Sequence, residues 1–353
     1  MRKLYQIMVL CCLLCGLNLN AQDMHFSQFY ANPLYLSPSL AGATDGGRLI
    51  LNYRNQWPAI SNAFSTSSVS FDNFFSRFNS GVGVYLIQDK AGSAGLTTTQ
   101  AAFQYSYNLL LSDNWQVVPA IQFAYGNRSV DFSKIVFPDQ PPGSGGSSGG
   151  FDRLSNEQVN YIDLAASVFA YSSKYWFGLT VDHLGKPNYS FLNEEAEVDR
   201  KYVFFGGVNI WNEKRRNRGM NRAFSTSFRY QQQGSLRQAD VGLYWYNAPL
   251  EIGMWYRGLP IFNDSGSRSV NQDALVALLA YDFGSLRIGY SYDITLSNLG
   301  WSTAGAHEIS LILEFNQRGN LRLGGRRPAV PCSESANPLR GGSKYKKKRR
   351  RIF

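Results

Sequence analysis

The chain of 353 residues is short of the residues on which stapled, metal-bound and helical proteins are built. It has four cysteines, and three of them, Cys11, Cys12 and Cys15, crowd the start. It has three histidines, His25, His183 and His307, and no two stand at metal-ligand spacing. Lone histidines of this kind read as polar surface. There is no glycine-rich phosphate loop between a strand and a helix, and no recognisable Ser-His-Asp grouping. An enzyme or a cofactor-dependent reading therefore finds no residues to rest on. No stretch beyond the first residues is apolar enough for a membrane-spanning helix of roughly 20 residues. No long segment carries a 3.6-residue apolar period.

What is present begins with an address. "MRKLYQIMVLCCLLCGLNLNAQD" carries Arg2 and Lys3, an apolar run from Ile7 to Leu17, and then Leu19-Asn20-Ala21. This is the layout of a secretory signal peptide, 1–21, cleaved after Ala21. None of the three early cysteines follows the small residue expected before a lipidated cysteine. Removal of the signal leaves Cys332 alone, so the exported chain must fold without an internal disulfide.

Charge is unevenly placed. Between Gln317 and Phe353 there are twelve Lys and Arg against one acid, Glu334. Without that tail and the signal the body is close to neutral, so the pI of about 9.4 belongs to the tail. The tail's basic run is Lys344, Lys346, Lys347, Lys348, Arg349, Arg350 and Arg351. A nucleic-acid partner is excluded by the export address.

The repeating feature is alternation. "LRIGYSYDI" sets Leu286, Ile288, Tyr290, Tyr292 and Ile294 against Arg287, Gly289, Ser291 and Asp293. "TTTQAAFQYSYN" and "AFSTSFRYQ" do the same, and a side-chain period of two means strands. About fourteen strands are expected, at 48–56, 63–72, 81–89, 96–108, 115–125, 158–170, 175–183, 201–211, 223–232, 237–247, 250–257, 272–282, 285–295 and 306–315. The 272–282 stretch, "QDALVALLAYD", alternates poorly. A soluble β-sandwich also alternates. Here, however, the apolar faces are crowded with Tyr, Phe and Trp at strand ends, and the opposite faces hold Gly, Ser, Gln, Asn and isolated charges. That pattern fits an all-β, antiparallel, up-and-down outer-membrane barrel with aromatic girdles and a wet lumen.

Turn lengths alternate as well. "YSSK", "NAPL" and "DFGS" are short, whereas 126–157, 183–200 and 257–270 are long. Short periplasmic turns and long outer loops are the rule for such barrels. An even strand count then places the tail in the periplasm, with the basic turn of Lys214, Arg215, Arg216 and Arg218. The expected organisation is a signal peptide (1–21), an N-terminal plug or collar at the periplasmic mouth (22–47), a barrel (48–316) and a disordered basic periplasmic tail (317–353). The N-terminal segment is too aromatic for a free linker, because Phe26, Phe29, Tyr30 and Tyr35 want burial.

The alternation also aims a set of charges inward: Arg54, Asp163, Asp182, Arg229, Asp240, Glu251, Arg257, Arg287, Asp293, Glu308 and Glu314. Two readings compete. One is an ion or solute pathway. The other is cross-strand pairing that fills a narrow interior. Mixed signs favour pairing, since a selective pore would show one dominant sign.

"MHFSQFYANPLYLSPSLAG", followed by "LNYRNQWPAI" and "FSTSSVSFD", resembles the opening of the PorP/SprF family of type IX secretion membrane proteins from Bacteroidota. "VDHLGKPNYSF", "LEIGMWYRGLP", "IGYSYDITLSNL" and "GAHEISLILEF" continue the likeness in order, from about Met24 to Phe315. The resemblance implies a non-enzymatic outer-membrane barrel of the gliding and type IX export apparatus, partnered by its machinery and by adhesin-like cargo. A passive porin is the alternative. The tail is outside the family pattern. From its charge alone it is expected to meet peptidoglycan, inner-leaflet headgroups or periplasmic ring proteins.

Overall fold

The computed structural model of the protein describes residues 23–44, 46–60, 64–92, 95–112, 114–130, 158–191, 196–214, 221–259, 274–296 and 303–315. The signal peptide, Arg215, Arg216, Arg218 and the tail residues from Lys344 to Arg351 lie outside these. The strand segments are β1 (Gly47–Gln56), β2 (Phe64–Phe75), β3 (Ser80–Ala91), β4 (Leu96–Tyr107), β5 (Leu109–Ser112), β6 (Trp115–Ser129), β7 (Gln158–Tyr171), β8 (Tyr175–Asp182), β9 (Lys201–Lys214), β10 (Asn221–Gln233), β11 (Leu236–Asn247), β12 (Leu250–Arg257), β13 (Ala274–Asp282), β14 (Leu286–Thr295) and β15 (Ala306–Phe315).

The segments β4 and β5 are two pieces of one stave, interrupted at Asn108. Both pair with β6, Ser106 opposite Ala120 and Leu109 opposite Val117. Every stave pairs antiparallel with its chain neighbours, and β15 returns to β1. The result is a closed barrel of fourteen staves. Closure pairs the backbone polar groups all the way round and leaves no open edge, the condition for a sheet in hydrocarbon.

The polarity of the wall is inverted relative to a soluble protein. On β1 the buried face is Arg48, Ile50, Asn52 and Arg54, whereas Leu51 and Tyr53 are exposed. On β4 the buried face is Gln100, Ala102, Gln104 and Ser106, with Phe103, Tyr105 and Tyr107 outside. An apolar outer band around a polar interior is the membrane-barrel arrangement, and it rules out the sandwich. No helix among the described residues is long and apolar enough to cross a membrane.

The interior is packed. Residues 23–44 run inside the barrel as a strap with three short helical turns, Phe29–Ala31, Pro33–Leu36 and Pro38–Leu40. Pro33 and Pro38 each open a turn, where the missing N–H has no partner to lose. Phe29, Leu36 and Leu40 join Val118, Phe169, Trp176, Phe205, Trp255 and Val276 of the wall in one apolar cluster. Phe26, Leu34 and Ala41 join Tyr85, Ile87, Ala102 and Ala124 in a second. This explains the poor alternation of 272–282. The inner face of β13 is Ala274, Val276, Leu278 and Ala280 because its inner neighbour is the strap's apolar side, not water.

Room for the inward aromatics comes from glycines directly across the ladder. Gly242 faces Trp255, Gly207 faces Trp176 and Gly178 faces Phe205. A Cβ on Gly242 would overlap the Trp255 indole, which is 2% exposed and stands 4.5 Å, edge to face, from Phe29. Overpacking such a site costs about 1–3 kcal/mol. Gly242→Ala should therefore lower the temperature at which the compact barrel band unfolds on a semi-native gel, whereas Val241→Ala on the exposed face should leave it nearly unchanged.

Candidate functional site

The inward charges fall into groups set by strand register. Arg54 on β1 stands opposite Glu308 on β15. Its Nη2 lies 2.8 Å from Asp293 and its Nη1 3.3 Å from Glu308. Arg257 reaches the same Asp293 oxygen at 2.9 Å from β12. The strap enters this cluster. Ser27 Oγ donates to Asp293 at 2.6 Å, and the main-chain N–H groups of Ser27 and Gln28 donate to the Glu308 carboxylate at 2.7 and 3.1 Å. Charge-assisted bonds of this kind are the stronger class of protein hydrogen bond.

A second pair, Arg229 and Asp240, lies directly across the β10–β11 ladder and is joined from Arg229 Nε at 2.9 Å. The Arg229 guanidinium stacks over the Phe29 ring at 4.4 Å and donates to His25. A cavity of about 10 Å³ lies between His25, Ser27, Phe29, Arg229, Trp255 and Arg257. It is large enough for about one water molecule.

The third group gathers at the strap's tip. His183 Nε2 stands 2.9 Å from Asp23 and its Nδ1 2.9 Å from Asp163. Lys201 reaches Asp23 at 2.7 Å and Asp182 at 3.1 Å. Burial alone would push the His183 imidazole down, but Asp23, with the hydrogen bonds of Asp163 and Asp23, holds it up to about 10. The His183 contribution is thus complete below the ordinary histidine value and is lost as pH rises through about 10.

The remaining inward charges stand apart from these three groups. Arg287 and Glu251 pair at 2.8 Å near the short-turn end, each still partly exposed. Glu314 is buried opposite Arg48 in the β1–β15 ladder. Sequence reasoning missed Arg48 and Asp72, an ion pair with Nε to Oδ1 at 2.9 Å whose second Asp72 oxygen accepts the N–H of Gly42. Arg48 is in phase with Arg54, so the alternation itself held that signal. Asp23 belongs to no strand and gave none. His183, expected as polar surface, is 4% exposed. The hydrogen bond to Asp23 and the nearby Asp163 carboxylate make its burial tolerable. Lys214 closes β9 at the short-turn end.

The strap is held at several heights along the lumen. At the short-turn end Gly42 is tied to Asp72. Midway, Gln104 donates to Leu34 O at 2.7 Å and Ser39 N donates to Ser167 at 2.9 Å. At the long-loop end Asp23 meets His183, Lys201 and Gln233. No group of three or more metal-ligating side chains occurs among the described residues.

Removing one partner of a buried ion pair costs about 3–5 kcal/mol, and an exposed pair about 0–1. Asp293→Asn should therefore lower the barrel's unfolding temperature far more than Glu251→Gln, read on the same semi-native gel. In detergent micelles the His183 ring resonances should titrate near pH 10. Asp23→Asn should move that titration downward.

The model of the family described as "Type IX secretion system membrane protein PorP/SprF" matches residues 18–313. No curated protein matches the chain. Among solved structures, the chain is similar to the Acinetobacter baumannii outer membrane protein Omp33 (7% identity, 78% of this chain and 100% of that one, TM-score 0.40). It is also similar to the KdgM porin (7%, 76% and 99%, 0.36) and to BamA from Haemophilus ducreyi lacking POTRA domains 1–3 (7%, 76% and 70%, 0.37). The family match spans far more than half of the sequence, and the chain belongs to the PorP/SprF family of type IX secretion system membrane proteins.

Proposed function

We propose that the protein is a non-enzymatic outer-membrane component of the type IX secretion and gliding apparatus, assisting export or surface anchoring of cargo such as adhesins. The family match over residues 18–313 carries this reading. The lumen supports it over the porin alternative. Its charges are paired with one another, and its axis is occupied by residues 23–44 from Asp72 at one end to Lys201 at the other. A solute channel needs an unobstructed, hydrated path. The protein therefore works through its two mouths and its loops. On the periplasmic side, Lys214 and the basic turn and tail form an electrostatic contact for peptidoglycan or for ring proteins of the machine. Each Lys or Arg near an anionic surface contributes on the order of 1 kcal/mol, within a Debye length of about 8–10 Å.

A deletion strain should lose surface display of one or a few type IX cargo proteins while general growth continues. Unchanged display of every such cargo would remove the proposal, and steady conductance of the purified full-length chain in planar bilayers would put the porin in its place. In the same strain background, a chain truncated after Gly342 should still assemble. It should release periplasmic partners at lower salt than the full chain does, and equal retention would leave the tail without this role.

A further inference from the structure

A barrel with an even number of staves brings both of its ends to one side of the membrane. Gly47 and Phe315 do lie together, opposite each other in the β1–β15 ladder. The strap breaks this symmetry for the residues before Gly47. Its path is fixed by the wall residues that hold it, and each can be placed along the barrel axis from the strand direction.

Ala41 and Gly42 sit at the short-turn end. Ala41 O accepts from Ser106, next to the end of β4, and Gly42 N donates to Asp72, near the end of β2. Leu34, Leu36 and Ser39 are held along the middle of the wall by Gln104, Thr180 and Ser167. Ser27 and Gln28 reach Asp293 and Glu308, which lie toward the far ends of β14 and β15. Asp23 is tied to Lys201, the first residue of β9, to Gln233, the last of β10, and to His183, just past the end of β8. Those three positions all border connections at the long-loop end. Between Gly42 and Asp23 the chain has therefore passed from the short-turn end of the wall to the long-loop ends of β8, β9 and β10.

From this we infer that residues 23–44 are a fifteenth crossing of the outer membrane, made through the lumen, and that Asp23 opens on the cell surface while Phe315 ends on the periplasmic side. The orientation uses the rule that short turns face the periplasm. It does not depend on the export role proposed above. The strap can cross without a ladder of its own because the wall addresses its backbone. Glu308, Asp72 and Ser167 accept its N–H groups, and Gln104 and Ser106 donate to its carbonyls. Irregular backbone at membrane depth is tolerated where protein surrounds it in this way.

The test uses three full-length chains, each with one short epitope tag: directly ahead of Asp23, within the 131–157 connection, or after Gly342. Antibody is applied to intact cells and to cells with a permeabilised outer membrane. The expected result is labelling of the first two on intact cells and of the third only after permeabilisation. If the tag ahead of Asp23 needs permeabilisation while the 131–157 tag does not, the strap does not cross. If both need it, the surface assignment fails. Should the first tag prevent assembly, two untagged chains give the same decision. Ser39→Cys with Ser167→Cys, and Asp23→Cys with Gln233→Cys, should each form a disulfide in cells under oxidation. Failure of the second pair to crosslink in a folded barrel overturns the inference.

Discussion

The carboxylate of Glu308 is the contact on which the rest of the interior depends. It sits on the last stave, faces Arg54 on the first, and accepts two main-chain N–H groups from the strap. A carboxylate buried at 0% exposure is tolerable only with that many partners. The strap's backbone, in turn, has no ladder of its own and needs such acceptors. Each element thus satisfies the other's unmet polar groups. The same reciprocity recurs at Asp72, shared by Arg48 and Gly42 N, and at Asp23, shared by Lys201 and His183.

Two constraints meet in this wall. The bilayer demands apolar side chains outward and a backbone with no open hydrogen bond. A lumen occupied by residues 23–44 demands that inward polar groups find one another or the strap. A residue's partner is therefore decided by its phase along the strand and by its height along the axis. Where the strap presents aromatic and aliphatic side chains, the wall answers with Val276, Trp255 and Phe205. Where the strap presents backbone, the wall answers with Glu308, Asp72, Gln104 and Ser167.

Most of the wall was legible in the sequence because period-two alternation is a local property. All fourteen expected strands have their counterparts, and differences fall at the ends, as at β6, which continues to Ser129. The break at Asn108 was invisible, since it depends on where β3 begins and Asn79 O accepts the Asn108 N–H. Phase alone also gave the inward side of Arg54, Asp240 and Asp293. It could not give their grouping, because Arg54 and Asp293 are 239 residues apart and meet only after closure. The strap was readable as something that wants burial, from Phe26 and Phe29. Its route was not, because an irregular segment has no period to project.

The strap's contacts reach both sides of the seam between β1 and β15: Asn52 touches Ala31 O from the first stave, and Ser310 touches Gln28 from the last. Synthesis proceeds from the strap toward that last stave, so the earliest exported residues must wait for the latest ones before they can be fixed. A chain halted before Ala306 would hold Arg54 without Glu308 and Gln28 without Ser310. Completion of the wall and filling of the lumen are thus coupled, and the molecule carries its own check that its last stave is in place.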